Sequence, residues 1–157
     1  MTINGLPLHP LIVHVVVVFA PLAAVGGIMY AAKPSWRWWL RWPFVASAVI
    51  SAGAGVLAVQ SGYSLEHARH LEQLAALQTH RHRGSILRWV MLAFLVPTGL
   101  AAWLLGGTSP VTSGWGARDG RTGVVAVGIQ VLVIASSIFL LIWVFLTGDS
   151  GARSIWG

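Results

Sequence analysis

Six histidines are the residues of this chain best suited to chemistry, and their placement is uneven. His9 and His14 stand in "GLPLHPLIVH", at the mouth of the first apolar run. His67 and His70 fall in "SLEHARHLEQLAALQ", and His80 and His82 in "THRHRG" ahead of the third run. Imidazole is a common metal and haem ligand, and it titrates near neutrality. His14 follows Pro10 by one helical turn, about 6 Å along the axis, and Arg88 follows Gly84 by the same interval. An arginine at a bilayer centre costs about 2.5–3.5 kcal/mol on insertion scales, so ionisable residues within spans turn toward a bundle interior, a cavity or a partner. His14 and Arg88 are therefore expected to share a polar pocket, with His9, His80 and His82 at its rim.

Three chemistries fit that pocket. A b-type haem would take His14 with His80 or His82 as axial ligands and Arg88 or Arg81 at a propionate. A bare copper, zinc or iron ion would use His9, His14, His80 and His82. A proton or small-ligand pathway would use titrating histidines without a cofactor. The competing reading has no cofactor: His14 bonds a carbonyl, Arg88 snorkels to the headgroups, and the chain packs in a larger membrane complex or a homo-oligomer. No phosphate-cradling glycine loop, zincin pair or Ser/His/Asp arrangement is present, so enzymatic activity is not expected. The tetrapeptide Gly148-Asp149-Ser150-Gly151 mimics a serine-protease nucleophile stretch, but those enzymes are β-barrels. Asp149 could orient a ligand histidine or pair with a surface arginine.

The elements that must position these residues are helices in lipid. Of 157 residues, 56% are hydrophobic and 9% charged, against about 25% charged in soluble domains. The expected fold is all-α: one transmembrane domain over 1–157, a four-helix bundle with spans near 11–32, 44–60, 86–105 and 124–146. The first is about 33 Å long at roughly 1.5 Å per residue, enough to cross. Pro10 and Pro43 are expected to open helices; Pro21 and Pro97 fall inside them. Four crossings return the chain to its starting side, side A, which holds all six histidines. Side B holds the connections at 33–42 and 106–123. Trp36, Trp38, Trp39, Trp42, Trp103 and Trp115 crowd side B as an aromatic belt. Lys and Arg split evenly between the sides, and the positive charges that follow the first span favour side B inside, with the histidines outside.

Ser47, Ser51 and Gly55, with Gly26, Gly27 and Gly128, are expected at helix contacts. Residues 64–78 read as a short interfacial amphipathic helix: His67, His70, Leu71, Leu74 and Leu77 share one face, Glu66, Arg69, Glu72 and Gln73 the other. His67 and His70 suit such an interface without ligating anything. Absence of cysteine removes disulfides and thiolate sites. The net charge of +6 flanks apolar runs, so the bilayer and not nucleic acid is the expected partner. No Lys or Arg precedes the first run, unlike a secretory signal peptide.

"GLPLHPLIVH", "THRHRG" and "TGDSGARSIWG" together resemble the bacterial membrane proteins grouped as domain-of-unknown-function family 2231, over essentially the whole chain. Val15 and Val16 replace the Phe-Pro that follows the second histidine in such proteins, and "SGYSL" stands where members often carry an acid after the second span. The resemblance implies a small four-helix protein of the bacterial inner membrane. It places the family's histidine pattern on His9, His14 and His80, and His67, His70 and His82 outside it.

Overall fold

A long apolar run in lipid folds as a helix because no solvent is available for its backbone N–H and C=O groups. Four such helices form in the computed structural model, which describes residues 2–3, 6–69, 75–106 and 123–156, with side chains for 9–64, 77–106 and 123–153. They are α1 (Leu8–Ala32), α2 (Arg37–Arg69), α3 (Ala75–Leu104) and α4 (Val124–Trp156). Each is long and apolar enough to cross a membrane. A two-residue antiparallel pairing of β1 (Thr2–Ile3) with β2 (Leu6–Pro7) precedes α1. A single 3-10 turn, Pro34–Trp36, joins α1 to α2.

Each helix packs on its sequence neighbours, α4 closes the ring against α1, and α1 barely touches α3 across the diagonal. Packing is densest within the α1–α2 and α3–α4 hairpins. Small residues allow this approach: Ala20, Ala23, Ala24, Ala48 and Ala101 are fully or almost fully buried, around Tyr30, Phe44, Met91, Val133 and Leu140. Gly27 is required, because a Cβ there would stand 2.8 Å from Ser137 Oγ and 3.0 Å from the Phe44 ring. Gly55 seats Met91, and Ser51 is buried. Gly128, expected at a contact, is exposed with open space beside it. Val96, Val131 and Phe145 cover the outer face, as lipid-facing residues do.

The expected spans hold, with longer helices. α2 starts at Arg37, so Pro43 lies inside it rather than opening it. Arg37 makes that earlier start favourable. Its guanidinium donates to the carbonyls of Tyr30 (2.9 Å), Ala31 (3.2 Å) and Gly106 (3.3 Å), groups at helix C-termini that lack intrahelical partners. Tyr30 adds a hydroxyl bond to the Leu105 carbonyl (2.9 Å). Residues 64–78, expected as a separate interfacial helix, are divided: 64–69 continue α2 and 75–78 open α3, while 70–74, with His70, lie outside the described residues. The tail, expected to leave the helix near 146, continues α4 to Trp156. Ser150 bonds back to Thr147, and Asp149 pairs with Arg153 one turn on.

Candidate histidine site

His9 lies in the first turns of α1, and His80 in the first turns of α3. Their rings stand 6.4 Å apart, edge to face at 83°. This is the one pair among the expected ligands that the structure brings together among the described residues. His9 Nδ1–H donates to the Ala58 carbonyl on α2 at 2.8 Å, with Ser61 Oγ 3.4 Å away. His80 Nδ1–H donates to the Thr147 carbonyl on α4 at 3.2 Å, with Ser150 Oγ 3.4 Å away. A carbonyl can only accept, so each imidazole donates from Nδ1; in the neutral form that leaves the lone pair on Nε2. Tying one ring nitrogen to a carbonyl is how proteins orient a histidine for ligation through the other.

Both rings line a partly open cavity of about 180 Å³ to which all four helices contribute, with Val13, Val16, Leu87 and Met91 among its apolar walls. Arg81 and Tyr63 stand at the same cavity, the guanidinium 5.7 Å from the phenol ring. Among the described residues the lining contains no carboxylate.

His14 is placed differently. It is exposed, donates from Nδ1 to the Pro10 carbonyl at 2.6 Å within its own helix, and does not line the cavity. Arg88 also lies outside the cavity lining; its guanidinium stands 5.1 Å from the Trp89 ring, and its buried Nε has no partner among the described residues. His14 and Arg88, expected to share a pocket, are therefore not brought together there. His82 is exposed. The side chains of His67 and His70 lie outside the described residues. No cluster of three or more His, Asp or Glu able to hold a metal occurs among the described residues, so the set His9, His14, His80 and His82 is not gathered into one site. Asp149 does not reach a histidine; it pairs with Arg153 (3.0 Å) and approaches Arg83 (3.8 Å) at the surface.

Sequence reasoning missed Ala58, Ser61, Thr147 and Ser150. Carbonyl acceptors leave no trace in residue type, and Ser-Gly, present at 61–62 and 150–151, also occurs at 113–114, so it does not by itself mark the site.

These features define an integral membrane protein of four apolar helices with a paired-histidine cavity at one end. The chain belongs to the family described as "Predicted membrane protein (DUF2231)", which matches residues 5–157. No curated protein and no solved structure matches it.

Proposed function

We propose that this membrane protein holds a metal centre between His9 and His80, the iron of a b-type haem, and that the centre serves electron transfer or redox sensing. The observation that carries this reading is the 6.4 Å separation of two imidazoles whose Nδ1–H groups are both tied to carbonyls. A metal bonded to two ring nitrogens at about 2.0–2.1 Å each would set the ring centroids roughly 6 Å apart. A haem would bring its own anionic porphyrin, and Arg81 stands at the cavity where its propionates would lie.

Room argues for an opening step. A cavity near 150 Å³ holds a benzene-sized ring, so about 180 Å³ is too small for a porphyrin. Loading would require the helices that line the cavity to move apart. A copper, zinc or iron ion without porphyrin is the second reading, favoured by that small volume. The charges that follow α1, Lys33, Arg37 and Arg41, support the histidine end facing outward.

The test is a visible spectrum, oxidised and dithionite-reduced, of detergent-purified protein, with elemental analysis and a haemin titration of the same sample. Sharp reduced bands that disappear in both His9→Ala and His80→Ala support the haem. Bound metal without those bands moves the pair to a bare-ion site. Protein that binds neither haemin nor metal overturns the proposal and leaves a packing role in a larger membrane complex.

A further inference from the structure

The two histidine stations repeat one design. On α2 the acceptor carbonyl belongs to Ala58; the serine one turn on, Ser61, donates to that same carbonyl (3.0 Å), and the next residue is Gly62. On α4 the carbonyl belongs to Thr147; Ser150 donates to it (2.9 Å), and the next residue is Gly151. Each imidazole comes from the start of the preceding helix in the chain, α1 or α3.

The glycines complete the match. A Cβ at Gly62 would stand 3.2 Å from His9 Cε1 and 3.3 Å from Nδ1; at Gly151 it would stand 3.0 and 3.2 Å from the same atoms of His80. Neither glycine serves the backbone: both lie within helices, and the positive-φ glycine is Gly123. Alanine would be the better helix former at both positions. The ring contact gives the reason for glycine. In both stations Nε2 is farther from the glycine, 4.0 Å at His9 and 3.8 Å at His80, so the Nδ1–Cε1 edge lies against the neighbouring helix.

We infer that α1–α2 and α3–α4 are two copies of one hairpin related by a pseudo-two-fold axis along the bundle, and that Gly62 and Gly151, with Ser61 and Ser150, are matched positioning residues that seat His9 and His80 with one tautomer. A Lewis acid held between the two stations would then meet two imidazoles oriented in the same way, each by its Nδ1–H. The choice of ligand rests on the metal-centre reading; the duplicated seats do not.

The experiment is ¹⁵N NMR of histidine-labelled protein in detergent and mildly alkaline buffer, run alongside haemin titration. Wild type is expected to show His9 and His80 both as Nδ1–H tautomers. Gly62→Ala should move His9 alone toward the Nε2–H form and weaken haemin binding roughly tenfold or more, and Gly151→Ala should do the same through His80. If either glycine variant fails to fold, Ser61→Ala and Ser150→Ala carry the same readout, each shifting only its own histidine. Opposite wild-type tautomers, or a substitution that leaves its histidine unmoved, would overturn the inference. Matched tautomers in a protein that binds neither haemin nor metal would keep the seats and remove the metal centre.

Discussion

The two ends of the bundle set polar side chains against helix carbonyls for opposite reasons. At side B, Arg37 and Tyr30 reach carbonyls at the C-termini of α1 and α3, which the helices themselves leave unpaired. Arg37 is 7% exposed and Tyr30 1%. At side A, His9 and His80 reach the carbonyls of Ala58 and Thr147, mid-helix groups already bonded to the N–H four residues on. The backbone does not need those imidazole bonds. At side B the side chain serves the backbone; at side A the backbone orients the side chain. The arrangement occurs twice and borders a cavity.

Removing the side B lock should have the largest effect on stability. Arg37→Ala leaves three carbonyls short of a donor, and about 2–4 kcal/mol should be lost in denaturant unfolding in detergent. A loss under about 1 kcal/mol would break the contrast between the ends. His9→Ala and His80→Ala invert the pattern: ligand binding disappears, while stability falls by no more than about 1.5 kcal/mol, because each carbonyl keeps its helical partner. A larger loss would make the histidines structural after all. Tyr30→Phe, which removes a buried hydroxyl but keeps the ring against Phe44, should cost about 1 kcal/mol and leave haemin titration unchanged. Arg153→Ala breaks an exposed pair with Asp149 and should cost less than about 0.5 kcal/mol. His14→Ala should alter neither stability nor ligand binding. A loss of binding in that variant would return His14 to the site.

Much of this was legible without coordinates. Four apolar runs declare four spans because lipid admits little else, and the histidines collect on one side by counting crossings. What failed was the rotation of α1. Its apolar residues surround the helix, so no amphipathic stripe marks the inward face. Depth alone then favoured His14. Helical geometry held a warning: at about 100° per residue, residues 9 and 14 point roughly 140° apart, so both could not face one cavity. The stretch expected as an interfacial helix is described only at its ends, where 64–69 continue α2 and 75–78 open α3. An amphipathic pattern over 64–78 fits extensions of two bundle helices as well as a helix lying flat, and nothing local chooses between them.

The sequence by itself determined the spans and the shared end of the histidines, because these depend on residue type and order. Only the tertiary structure decided that His9 rather than His14 faces His80, and that Arg37 ties α1 to α3. It also showed Gly62 and Gly151 to be seats for imidazoles. Each of those depends on helix rotation and on backbone carbonyls of a neighbouring helix, which carry no signature in the chain.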